Sequence, residues 1–247
     1  MLPTLIRYSA VWLGLLLAAP AQAGIVLNAT RVIYQAKDKE VSFVVSNSGT
    51  TDILAQSWLE TGKDSTEAEN LPFVVTPPLA RMSGNARQMI RIIYAGEGLP
   101  DDRESVFWLN VQEIPQTAKD NQLQIAIRQR IKLFYRPAAL NGDPLEAAKK
   151  LEWRLHDGRL EVSNPTPFHV SMIQIAARQQ GKALFTAESR MLAPRETVRF
   201  ALKSLGRGQA MDIDFISIND FGAQEPLTAK VSEGQTIRAM SATTGSQ

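Results

Sequence analysis

The chain has 247 residues, enough for one large domain or two ordinary ones, with 27 Lys and Arg against 25 Asp and Glu. So even a balance argues against a nucleic-acid footprint spread over the whole chain. The absence of Cys excludes thiolate catalysis, thiolate-bound metal and disulfides, and with only His156 and His169 a multi-histidine metal site is disfavoured.

Residues 1–23 read as a secretory signal. Arg7 supplies the positive charge, Ala10 to Ala19 are nearly all apolar, and Ala21-Gln22-Ala23 has the small-x-small form of a cleavage site. The apolar run is too short for a membrane span. The mature chain is expected to begin at Gly24, in a bacterial periplasm. Without disulfides it must be held by core packing alone.

From Gly24 onward short apolar runs alternate with turn residues. Val41 to Ser46 reads as a strand, Asn47 to Asp52 as a turn, and Ile53 to Glu60 as a returning strand. Phe73 to Thr76 runs into Pro77-Pro78, which ends pairing and makes a rigid corner. Gln88 to Tyr94 and Ser105 to Ile114 are further strands. Asn121 to Pro137 is unusually long for a strand. Leu123, Ile125 and Ile127 alternate with Gln124, Ala126 and Arg128, the period of a half-buried strand. Arg128-Gln129-Arg130, the lone Lys132 and an apolar-aromatic run follow, and Pro137 stops the ladder. About seven strands in this stretch predict an antiparallel β-sandwich of immunoglobulin type over residues 24–140.

Asn141-Gly142-Asp143-Pro144 is a turn, Leu145 to Lys150 fits one helical turn, and the domain boundary is placed here. Strands are expected at Leu151–Leu155, Arg159–Ser163, Phe168–Ile175, Lys182–Phe185, Thr197–Leu202 and Asp212–Ile218. They make a second, somewhat smaller sandwich over 141–240, with a polar tail at 241–247. The fold class is therefore all-β, with two sandwiches. No nucleophile elbow, phosphate loop or metal-binding motif is present. His156 and His169 flank turns and read as ordinary surface or hydrogen-bonded residues. The chain reads as a binder, not an enzyme, with no cofactor, metal or small-molecule substrate implied.

The chain resembles the periplasmic pilus-assembly chaperones of the chaperone–usher pathway, the PapD-like family, over its whole mature length. The resemblance is carried by Thr30 to Tyr34, Thr76-Pro77-Pro78, Asp102 to Asn110, Glu113-Ile114-Pro115, Leu123 to Ile127, Ile131 to Ala138, Asn164 to Pro167 and Ile218 to Gly222. It implies two immunoglobulin-like domains in a boomerang with a cleft between them. It implies a protein that binds, folds and caps pilus subunits by lending them a β-strand, a recognised form of β-augmentation, and delivers them to an outer-membrane usher. By the same resemblance Leu123, Ile125 and Ile127 form the donor strand, and Arg31 and Lys132 grip the C-terminal carboxylate of the bound pilin. Glu104, Arg136 and Asp220 form a charged trio bridging the domains. The short, Cys-free loop from Pro115 to Leu123 matches the short-loop branch, and the second domain lacks the Cys pair of some members. A self-capping homodimer is a further arrangement that an apolar donor strand allows.

On alternation alone the three apolar residues read as packing in the domain's own core, and the resemblance reverses that. They are odd-numbered and Lys132 is even, so a regular strand sends them to opposite faces. A bulge or strong twist at Arg128 to Arg130 is expected to reconcile them. Arg128 and Arg130 themselves are unassigned, meeting either acidic pilin surface or water. The competing function is an exported two-domain adhesin or carbohydrate-binding module on the same fold, which predicts an aromatic-lined pocket and no need for Arg31 or Lys132.

Overall fold

The computed structural model describes residues 24–62, 71–116, 125–202 and 210–242. The signal segment, Leu123, most of the loop expected to be short and the far end of the polar tail lie outside the described residues. Nine strands build the first half: β1 (Ile25–Leu27), β2 (Arg31–Gln35), β3 (Val41–Asn47), β4 (Ile53–Glu60), β5 (Phe73–Thr76), β6 (Leu79–Met82), β7 (Arg87–Tyr94), β8 (Ser105–Pro115) and β9 (Arg128–Arg136). They form two facing sheets, in the orders β1-β3-β7-β5 and β2-β9-β8-β4-β6. The expected count of seven was too low. Ile25–Leu27 is too short to show alternation, and Leu79–Met82 hides behind the two prolines.

Those prolines change sheets as well as ending a strand. β5 stops at Thr76 in one sheet, and β6 resumes at Leu79 in the other. The turn after β3 is pinned by the buried Asn47, whose Nδ2 donates to the carbonyls of Thr51 (2.8 Å) and Ser83 (3.0 Å). Gly84 packs against the same turn. A Cβ there would come within 2.3 Å of the Thr50 carbonyl oxygen, so no larger residue fits without moving backbone.

Ile25, Val32, Phe43, Val45, Ile90, Ile92, Leu109, Val111 and Leu133 fill the space between the sheets. Toward the second half of the molecule that core becomes aromatic. Tyr34, Phe73, Tyr94 and Tyr135 pack with ring centroids 4.4–6.5 Å apart. Edge and tilted contacts of this kind add to the burial of each ring.

Two single 3₁₀ turns, Pro144–Glu146 and Ala148–Lys150, stand where one helical turn was expected. Nine more strands follow: β10 (Glu152–His156), β11 (Arg159–Ser163), β12 (Val170–Gln179), β13 (Lys182–Leu192), β14 (Thr197–Ala201), β15 (Met211–Ile218), β16 (Gln224–Val231), β17 (Thr236–Arg238) and β18 (Met240–Ser241). Their sheets run β14-β11-β10-β17 and β13-β12-β15-β16-β18 around a separate core centred on Trp153, Leu155, Val162, Ile213 and Phe215. Two cores that share no residue make two domains. β16 to β18 escaped the sequence reading because polar residues and Pro226 interrupt their apolar pattern.

Candidate functional site

β9 is the strand on which both domains converge. Antiparallel to β8, it pairs from Gln112↔Arg128 to Ser105↔Tyr135 without a shift of register. The Glu113 amide donates to the Ile127 carbonyl (2.9 Å), so the pairing runs on into the residues before β9. The bulge expected at Arg128 to Arg130 is absent. None is needed, because the two groups of residues use opposite faces. Odd residues Ile131, Leu133 and Tyr135 point into the first core. Even residues Arg128, Arg130, Lys132, Phe134 and Arg136 stand on the other face.

The outer edge of β9 is divided. β2 runs parallel to it from Arg31↔Lys132 to Gln35↔Arg136 and covers only that half. Ahead of Arg31 the chain leaves for β1 in the other sheet. Arg128 to Ile131 therefore have no strand on this edge among the described residues. In an antiparallel pair alternate residues bond the partner and the next ones point away. Ile127 bonds to β8, and the Arg136 carbonyl accepts from Ala36 on the far side (2.9 Å). By that alternation the main-chain groups of Arg128 and Arg130 face the uncovered edge. Ile125 and Ile127 continue it and are 69% and 40% exposed.

At the point where β2 begins, Arg31 and Lys132 lie side by side. Lys132 Nζ donates to Ser171 Oγ of the second domain (3.1 Å), and Arg31 Nη1 donates to the Ile218 carbonyl (2.9 Å). Both partners are neutral. Arg31 Nε is buried with no hydrogen-bond partner among the described residues. Burial, together with the charge of Arg31, pushes Lys132 down to about 8. Burial also lowers Arg31, opposed by the fields of Asp220 and Glu104. Two adjacent half-buried cations without a matched anion are electrostatically unfavourable by themselves.

Arg136, at the end of β9, has its anions in place. Its Nη2 and Nε donate to Glu104 Oε1 (2.7 and 3.1 Å), and its Nη1 donates to Asp220 Oδ2 (2.7 Å). The Glu104 and Arg136 side chains are only 1% and 9% exposed. The second Glu104 oxygen accepts from the His169 amide (2.8 Å) and lies 3.0 Å from His169 Nδ1. The Glu104 amide donates to the Pro167 carbonyl (2.9 Å). The Glu104 carboxyl group is thus tied to both domains. The structure brings the sequence-named trio together and adds His169 and Ser171, which the sequence reading did not assign. The buried Asn164 holds their loop in place, donating to the carbonyls of Phe168 (2.7 Å) and Ala193 (2.9 Å).

Arg128 and Arg130 lie over indoles rather than free in water. The Arg128 guanidinium carbon is 5.0 Å from the Trp58 ring centroid, and that of Arg130 is 4.2 Å from Trp108. The Trp58 and Trp108 ring faces, which a sugar-binding site built on them would need open, are therefore capped by cations.

The fold and this junction define a two-domain, immunoglobulin-like strand-donor protein with an open edge running into a cationic cleft. Comparison with known proteins gives the family. Residues 24–141 match the model of the pili and flagellar-assembly chaperone PapD N-terminal domain, and residues 146–229 match that of the pili assembly chaperone PapD C-terminal domain. The chain belongs to this family of pilus-assembly chaperones, which are not enzymes. It is 40% identical to the chaperone protein FimB/FhaD of Bordetella pertussis over 88% of this chain and 92% of that protein. It is 41% identical to the probable fimbrial chaperone YadV of Escherichia coli over 81% and 87%. The crystal structure of the YadV chaperone superposes with a TM-score of 0.72 at 38% identity, covering 84% of this chain and all of that one. The Salmonella enterica SafA pilin in complex with the SafB chaperone matches with a TM-score of 0.70 at 30% identity, covering 85% and 98%.

Proposed function

We propose that this protein binds pilus subunits in the periplasm after cleavage near Ala23, completes their fold with the strand leading into β9, and hands them to an outer-membrane usher. The observation that carries the mechanism is the half-covered edge of β9, ending at Arg31 and Lys132. An exposed edge with large apolar residues invites association, and proteins usually blunt it. Here Ile125 and Ile127 keep it open, and Leu123 extends it in the sequence.

The direction of the bound strand follows. A pilin carboxyl terminus held by Arg31 and Lys132 places the preceding residues beside Arg128 to Ile131. That segment runs parallel to β9 and collinear with β2, which takes over the same edge at Arg31. Arg31 contributes a planar fork and Lys132 a compact charge. The incoming carboxylate supplies the anion that the pair lacks and fixes the register. Main-chain hydrogen bonds follow along the edge, and Leu123, Ile125 and Ile127 fill the pilin groove at roughly 1.5–3 kcal/mol per fully buried side chain before ordering costs. Glu104, Arg136 and Asp220 set the angle between the domains, and so the width of the cleft.

Co-expression with candidate pilus subunits and co-purification tests the reading. Wild type should bring down a pilin, and Arg31→Ala and Lys132→Ala, both still folded, should lose it. Retention of the pilin by both variants would overturn the carboxylate anchor.

A further inference from the structure

The outer face of β9 carries a row of cations of which the anchoring of a carboxylate uses only Lys132. Arg128, Arg130 and Lys132 stand on it at successive even positions, leading from the open edge to the cleft. Trp58 and Trp108 form its floor, and Lys132 Nζ also lies 5.6 Å from the Trp108 centroid. One acid serves both arginines. Glu60 accepts from Arg128 Nη2 at 2.9 and 3.1 Å and pairs with Arg130 Nε at 2.7 Å. Arg128 Nε is further fixed by Asn110 Oδ1 (2.9 Å). A single carboxylate between two guanidiniums leaves one positive charge, on side chains that remain partly exposed. Stacking on indole and bonds to Glu60 and Asn110 hold those forks in defined places.

We propose that this ladder reads acidic side chains on the outward face of the pilin's terminal strand, a specificity element beside the donor strand. The proposal rests on the donor-strand reading above. In a parallel pair, side chains directly across from one another share a face and interact. Pilin residues opposite Arg128 and Arg130 therefore point onto the ladder, two positions apart. The residues that alternate with them point to the core face beside Ile127, Gln129 and Ile131. An acid on the ladder face completes the charge set. A lysine there meets two cations, and an acid shifted by one residue faces apolar surface.

The test uses synthetic peptides and the full mature chain. Each peptide is ten residues long with alternating Val and Ser and a free C-terminal carboxylate. The outward Ser positions are kept, or two are replaced by Asp or by Lys. A fourth peptide carries its Asp pair one position along, and a fifth is the Asp peptide with a C-terminal amide. Calorimetric titration should give the Asp peptide about tenfold tighter binding than the Lys peptide. The Ser peptide should fall between them, and the shifted Asp peptide should be weaker than all three. In the double variant R128Q/R130Q the three should bind within about twofold of one another. If wild type binds Asp and Lys peptides alike yet still loses the amide, the ladder is overturned and the carboxylate anchor stands. If the amide binds as well as the acid, or no peptide binds, the anchor falls and the ladder with it.

Discussion

The two ends of β9 belong to one strand with one unbroken register, yet they are in opposite physical states. From Lys132 to Arg136 the strand is covered by β2 on its edge, by the first core beneath and by the second domain above. From Ile125 to Ile131 the edge has no strand beside it among the described residues. The same alternation that buries Leu133 and Tyr135 leaves Ile125 and Ile127 in solvent. Apolar periodicity alone therefore does not say whether a strand is finished. The neighbour that covers it decides that, and here β2 stops at Arg31. Each end can be broken separately.

The closed end should give the largest stability effect. Arg136→Ala leaves Glu104 buried with its charge unmatched, and removing one member of such a network costs about 3–5 kcal/mol. Urea unfolding monitored for each domain should show that loss. A loss under about 1 kcal/mol would mean that water replaces the guanidinium, and that the network is not a desolvated one. The junction comes next. Lys132→Ala should weaken pilin binding by about 30-fold or more, the 2–5 kcal/mol range for one member of a desolvated charge pair. Unlike Arg136→Ala, it should not destabilise the free protein. The open end is smaller again. Ile127→Ser should cost roughly 1.5–3 kcal/mol of pilin affinity with unfolding unchanged. Equal losses of affinity and stability would show that Ile127 packs in its own domain.

Much of this contrast was legible in the sequence, and the gaps have physical causes. The long alternating segment with a charged middle was visible, as was the stop at Pro137. Arg31, Glu104 and Asp220 came only through resemblance, since Arg136 meets carboxylates 32 and 84 residues away and no local pattern connects them. His169 stayed hidden because its partner is a carboxylate of the other domain; its position just after Asn164 to Pro167 was the available signal. The bulge was expected on the assumption that Lys132 and the apolar residues serve one surface. In the observed register Lys132 stands on the face that meets the second domain, while the odd-numbered residues continue the core face. The stacking of Arg128 and Arg130 was out of reach for another reason. Trp58 and Trp108 lie on neighbouring strands β4 and β8, and sequence distance does not reveal that they floor the same row.

The pH dependence separates the junction from both ends by sign. Lys132 sits at about 8 in the free protein, below its ordinary 10.5, because burial and Arg31 disfavour its charge. Below about pH 8 it is charged whether free or bound, and pilin affinity should not change with pH. Above that the free protein gives up the proton. Binding a carboxylate must then take one back, so Kd should rise about tenfold per pH unit until the bound lysine itself titrates. Folding stability should move the other way. Between about 8 and 10.5 the unfolded chain holds a proton that the folded chain has lost, so this lysine's contribution to stability increases with pH. Lys132→Met should flatten both slopes and serve as the reference for all other groups. Affinity and stability rising together with pH in wild type would mean that Lys132 is not the group receiving the carboxylate.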